Sequence, residues 1–281
     1  MQLQIRHETR YVYEDTVSYS IQSLRLTPRS DPGQRILSWR ISTPGDRHEQ
    51  VDAFGNLTHI VTVEAPHREM RIVVEGVADI DEEDRGYGGN VTGEIAPLAF
   101  LAPTALTRAD RAVREIAERH LGHHPPKRAT LLDLVSGVQR AVVYEPGITD
   151  VGHSAIEALD LGVGVCQDQA HVFIACCRAA GVPARYVCGY IYTGPKQVSH
   201  ANHIQSEASH AWVQLYLPQV GWKGFDPTNG ILTQTDHVRV AVGRNYLDAT
   251  PTSGTIFVGG GGETLSVEVK VEPHDAADPR S

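Results

Sequence analysis

Between Leu161 and Pro183 the chain has little conformational freedom. Leu161-Gly162-Val163-Gly164 is apolar and glycine-punctuated, a tight approach to a helix start, and Gly181-Val182-Pro183 supplies the stop. In between, Ala170, Phe173, Ile174 and Cys177 recur at helical spacing, which predicts a buried helix. Its opening reads Gly164-Val165-Cys166-Gln167-Asp168-Gln169-Ala170-His171, so Cys166 falls in the first turn. Unpaired backbone N–H groups and the positive end of the macrodipole favour an anion there. The thiolate is the nucleophilic form of cysteine, and a helix start is one of the settings that favours it. A lone cysteine also reads as a small buried hydrophobe, so the assignment depends on what the rest of the chain supplies.

Upstream, residues 1–95 alternate with period two. Leu3-Gln4-Ile5-Arg6, Tyr11-Val12-Tyr13, Ser20 to Thr27, Arg35 to Ile41, Leu57 to Val63 and Glu69 to Ile80 are strand-like, with turns at Thr43-Pro44-Gly45-Asp46 and Asp52 to Asn56. Short strands separated by turn signals predict an antiparallel β-sandwich. Residues 81–93 are acidic and then glycine-rich, and read as a linker. Helical pattern follows: Thr107 with Asp110 resembles a capping box ahead of a helix ending at Leu121-Gly122, and a second helix spans Thr130 to Val142. Ser154-Ala155-Ile156-Glu157 is a further capping box. After the cysteine helix come strands over Ala184 to Tyr192, Ser209 to Leu217 and Gly221 to Asp226, with a polar loop over 194–206. A last strand, Thr264 to Val271, precedes a polar tail. The expected division is therefore a β-rich domain at 1–95, a catalytic domain at 96–255, and a C-terminal strand and tail at 256–281.

Charge limits the partners. The 34 acidic and 25 basic residues leave a net charge of -9, which argues against nucleic acid, whose phosphates need a basic face, and against an anionic membrane surface. The start of the chain has no apolar run of signal-peptide length, and no later segment has the apolar length of a membrane span. The 4 cysteines, at 166, 176, 177 and 188, are confined to one region rather than spread as a disulfide framework. Reduced thiols in a cytoplasmic protein are the expectation. His120, His123 and His124 invite a metal reading, but no acidic or thiol partner completes a set, so no metal or cofactor is expected.

A thiol acyl-transfer site needs a thiolate, a histidine that shuttles the proton and a third group that fixes the imidazole. The candidates occur in the order Cys166, His210, Asp226: a helix start, the opening of a strand and the end of another. If the strands bearing His210 and Phe225 pair as antiparallel neighbours, the imidazole and the carboxylate can lie side by side. Taken singly, His210 reads as a structural histidine and Asp226 as a turn-former before Pro227. Gln167 and His171 either contribute to an acyl pocket or pack. Trp212 and Trp222 read as core and site-wall aromatics, and Cys176, Cys177 and Cys188 as buried apolar groups.

Together, Gly-Val-Cys-Gln-Asp at 164–168, Ser-His-Ala-Trp-Val at 209–213 and Gly-Trp-Lys-Gly-Phe-Asp-Pro-Thr-Asn-Gly at 221–230 resemble the bacterial transglutaminase-like superfamily. The β-rich start is similar to the amino-terminal region that accompanies this core. The resemblance implies an α+β fold, with an antiparallel β-sandwich followed by a papain-like core whose cysteine helix packs on an antiparallel sheet. It implies a triad of Cys166, His210 and Asp226 acting on a peptide or protein substrate without metal or organic cofactor. The family includes peptidases, amidases, protein cross-linkers and inert copies. Hydrolysis is the favoured expectation, with glutamine–lysine cross-linking or an inert binding module as alternatives.

Overall fold

The computed structural model describes residues 1–81, 95–122, 127–194, 209–218, 220–257 and 261–274. Its first part comprises β1 (Gln2–Val17), β2 (Tyr19–Thr27), β3 (Gln34–Ser42), β4 (Asp46–Val51), β5 (Leu57–Val63) and β6 (His67–Ile80). Next come α1 (Arg111–Leu121), α2 (Arg128–Ala141), β7 (Val143–Tyr144), α3 (Ala155–Leu161), β8 (Val163–Gly164) and α4 (Cys166–Ala179). The chain continues through β9 (Ala184–Ile191), β10 (Ser209–Leu217), β11 (Gly221–Asp226), β12 (Ile231–Leu232), β13 (His237–Gly243) and α5 (Tyr246–Ala249). It ends with β14 (Thr252–Phe257) and β15 (Glu263–Pro273).

The architecture is α+β, and the expected sandwich is present. One antiparallel sheet runs β15-β1-β6-β3 and the other β14-β2-β5-β4. Tyr11, Tyr13, Met70, Ile72 and Val74 from the first close on Leu24, Leu26, Val61 and Val63 from the second. Both sheets are completed from the far end of the chain: β15 pairs with β1 and β14 with β2. The predicted last strand thus lies within the sandwich, and β14 is an addition that the sequence pattern did not mark.

The two predicted pieces at Leu3–Arg6 and Tyr11–Tyr13 are one strand, because burial alternates straight through His7 and Thr9. The same face of β1 serves two cores. Tyr11, Tyr13 and Val17 enter the sandwich, whereas Leu3 and Ile5 join Tyr190, Val238 and Val240 of the central sheet. His7 sits at the seam, with Nδ1 2.8 Å from the Tyr190 hydroxyl and Nε2 2.9 Å from Thr9 Oγ1. Strand β4 escaped prediction because all its residues are exposed and polar in pattern, leaving no alternation to read.

The central sheet runs β12-β11-β10-β9-β13, antiparallel throughout. Helix α4 lies between this sheet and α1, α2 and α3, and its side chains from Gln167 to Arg178 are all buried. That explains apolar residues beyond the single stripe of a surface helix. One cap differs from expectation. Asp110 itself is the N-cap of α1, accepting from the Val113 N–H at 2.9 Å, while Thr107 closes a short turn begun by Thr104. The Ser154–Glu157 box forms as read. The loop over 195–206, the linker from residue 82 and both His123 and His124 lie outside the described residues.

Candidate active site

Cys166 is the first residue of α4 and is partly exposed. Val165, its N-cap, has no side-chain oxygen, so the first-turn N–H groups beside the sulfur receive no cap from it. The turn is braced from the other side. Asp168 Oδ2 accepts from the Val165 N–H at 2.8 Å and from Thr149 Oγ1 at 2.6 Å. The Gln167 side chain donates to the Val151 carbonyl at 3.2 Å, tying the 149–151 segment to the helix start. Gly164 makes this approach possible, since a Cβ there would lie 2.7 Å from Asp168 Cβ. Burial pushes the Cys176 and Cys188 thiols up to about 12 and that of Cys177 well above its ordinary value. Those three are held as neutral, poor nucleophiles.

His210 and Asp226 meet because β10 and β11 pair as antiparallel neighbours, with Val213 opposite Phe225. His210 Nε2 lies 2.8 Å from Asp226 Oδ2, and both groups are buried. The carboxylate is saturated: Oδ1 accepts from the N–H groups of Thr228 and Asn229 at 3.0 Å, and Oδ2 also takes the Asn229 amide at 2.6 Å. Burial alone would raise the Asp226 carboxyl, but the His210 charge and the bonds from His210 and His237 hold it well below the carboxylate range. Burial opposes protonation of His210 too. The Asp226 charge and hydrogen bond, aided by the neighbouring Cys166, outweigh it and raise the imidazole. With Nε2 committed to Asp226, Nδ1 is the ring nitrogen left for the sulfur. The structure therefore joins His210 to Asp226, with Cys166 among the groups that act on the imidazole.

A fourth side chain belongs to this site. His237 Nε2 is 3.1 Å from the same Oδ2 of Asp226. The reading by motif missed it because β13 is buried along its whole length, so its pattern gives no alternation that would single out a polar position. Trp212 packs edge-on against His237 at 5.2 Å between ring centroids, and it occupies the space where Gly189 has no side chain. Trp222 lies under the Arg185 guanidinium, 4.1 Å from its ring centroid, and packs on Phe100 and Tyr216 at the opposite end of β11 from Asp226. His171 is fully buried, accepts from the Tyr246 N–H at 3.1 Å and is pushed down to about 3 by burial, so it is a neutral packing group.

The ligand atoms of His210, Asp226 and His237 fall within 4.8 Å of one another. They are spent on each other, however. A zinc ion about 2.0–2.2 Å from each atom would break both imidazole–carboxylate bonds. His120 is paired with Asp133 at 2.6 Å. The donor set fits proton handling better than metal binding.

A helix-borne cysteine against an antiparallel sheet that carries a histidine and a buried carboxylate defines a papain-like α+β architecture. Residues 3–79 match the bacterial transglutaminase-like N-terminal region, and residues 114–227 match the transglutaminase-like superfamily. An uncharacterized protein of Mycobacterium leprae is 31% identical over 278 residues, spanning 96% of this chain and 98% of that one. The chain belongs to the transglutaminase-like superfamily. Its fold is shared with a candidate cysteine protease from Cytophaga hutchinsonii, at a TM-score of 0.75 and 22% identity over 98% of this chain and 92% of that chain. A protein-glutamine gamma-glutamyltransferase of Pseudomonas aeruginosa is 35% identical over 69 residues, 25% of this chain and 10% of that protein.

Proposed function

We propose that the chain is a thiol-dependent acyl-transfer enzyme that hydrolyses peptide or amide bonds through Cys166, His210 and Asp226. The observation that carries this reading is the 2.8 Å hydrogen bond between His210 and a buried Asp226 carboxylate held ionised, with Cys166 at a helix start among the groups that act on the His210 ring. The Cys166 thiolate attacks an amide carbonyl. The Cys166 backbone N–H, at the uncapped helix start, stabilises the oxyanion. His210 gives its proton to the leaving amine while Asp226 fixes the ring, and water then resolves the thioester.

Hydrolysis is favoured by the candidate protease that shares the fold over nearly the whole chain. Cross-linking is the second reading, favoured by the local match to the Pseudomonas glutamyltransferase. A reducing, cytoplasmic setting is part of the proposal, supported by the free state of Cys166, Cys176, Cys177 and Cys188. A peptide-library digest read by mass spectrometry tests the reaction. Wild type is expected to release cleaved products, and Cys166→Ala to lose turnover by on the order of 10⁴-fold or more with the fold intact. Equal turnover by the two proteins removes the assignment. A glutamine peptide with a labelled amine separates the two readings: acid product supports hydrolysis, and amine incorporation without it supports cross-linking.

A further inference from the structure

The proposed outline of Cys166, His210 and Asp226 leaves out a buried titratable group in direct contact with it. His237 opens β13, and its side chain is 2% exposed. Its Nε2 and that of His210 converge on one oxygen, Asp226 Oδ2, at 3.1 and 2.8 Å. Its Nδ1 lies 2.5 Å from Asp236 Oδ1, on a carboxylate 29% exposed; a proton on Nδ1 donates to that carboxylate and displaces the longer, 3.3 Å bond that the Gln234 N–H would otherwise donate to the same nitrogen. Strand β10 presents His210, 6.2 Å away between ring centroids, and Trp212; β11 presents Asp226; β9 presents Ile191 as its partner in register. Among the described residues, the titratable groups facing this ring are thus two carboxylates and one imidazole. Burial opposes a charge on His237, but hydrogen bonds to Asp226 and Asp236 outweigh it and raise the ring.

A histidine bound to an unshared buried carboxylate holds its proton tightly, which makes it a poor acid toward a leaving amine. A second donor on the same oxygen draws off part of that charge, and a second cation nearby repels the first. We infer that His237 is a positioning residue of the acyl-transfer site: it shares Oδ2 with His210, fixes the Asp226 carboxylate, and loosens the hold of that carboxylate on the His210 proton. This rests on the acyl-transfer reading above.

The test is the rate of iodoacetamide alkylation at Cys166, followed by mass spectrometry across the pH range. In wild type the rate rises as the thiolate–imidazolium pair forms and changes again where His210 loses its proton. His237→Gln keeps a neutral donor but removes the charge, and the upper inflection is expected to move up by about one pH unit. His237→Asn, too short to reach Oδ2, is expected to move it in the same direction. Profiles that superimpose on wild type, or shift down, overturn the inference, because a structural role would change the melting temperature and leave the inflection in place. Nitrogen NMR of the wild-type imidazoles gives a reading independent of either variant folding. His237 is expected to be doubly protonated at neutral pH, and a neutral ring overturns the inference. A wild-type profile with the single inflection of an ordinary thiol would instead defeat the acyl-transfer reading itself, so the two failures are distinguishable.

Discussion

At the scale of single residues, the carboxylate of Asp226 is held from every side. It is buried, accepts from two histidines, an asparagine amide and two backbone N–H groups, and is held ionised by them. Asp226→Asn replaces an acceptor with an amide whose Nδ2 faces donors, so His210 loses its orienting charge. Turnover is expected to fall by about 10⁴-fold, the loss seen when an orienting aspartate becomes asparagine in other triads. A steady-state comparison checks this, and a loss of less than about tenfold would mean that Asp226 does not orient His210. The contrast among the thiols is of the same kind. Cys166 is partly exposed at a helix start, whereas Cys176, Cys177 and Cys188 are buried and held neutral.

At the scale of elements, the start of α4 depends on how closely β8 and the 149–151 segment approach it. A methyl group on residue 164 would press into Asp168, whose carboxylate braces the turn through Val165 and Thr149. Gly164→Ala is expected to cost about 1–3 kcal/mol and to slow alkylation of Cys166, measured by urea unfolding and mass spectrometry. An unchanged urea midpoint would mean that the brace yields without loss. This helix was legible in the sequence because its signals are local: a glycine-punctuated apolar approach before residues at helical spacing, and Gly181-Val182-Pro183 after them. The meeting of His210 with Asp226 was legible only as a conjecture on strand pairing, since register is a tertiary fact. His237, Asn229 and Thr149 were not legible as site residues. His237 and Thr149 act through hydrogen bonds to residues distant in sequence and stand in no local pattern that marks them, whereas Asn229 lies in the quoted 221–230 motif and its role follows only from the turn that folds it back onto Asp226. Strand β4 and the pairing of β15 with β1 were hidden for related reasons: one has no buried face and the other joins the two ends of the chain.

At the scale of the whole molecule, one face of β1 holds the sandwich against the central sheet, and His7 lies at the seam, bonded to Tyr190 and Thr9. Burial pushes His7 down to about 4, so the neutral ring is the folded form. The stability this supplies is present above the unfolded value near 6.5 and is lost as pH falls from there toward 4. Between about pH 6.5 and pH 5 the loss through His7 is roughly 2 kcal/mol. Raised His210 and His237 contribute with the opposite sign, and His171 with the same sign, so the prediction concerns a difference. Urea unfolding of wild type and His7→Gln at both pH values is expected to show a smaller acid loss in the variant; equal losses would remove His7 from the account. The central claim joins α4 to the central sheet through one sulfur and one imidazole, and a single rate ratio tests it. Iodoacetamide alkylation of Cys166 in mildly acidic solution is compared between wild type and His210→Gln. The account predicts that wild-type Cys166 reacts well ahead of Cys176, Cys177 and Cys188 and that this lead collapses in the variant. Equal alkylation of Cys166 in the two proteins would contradict it.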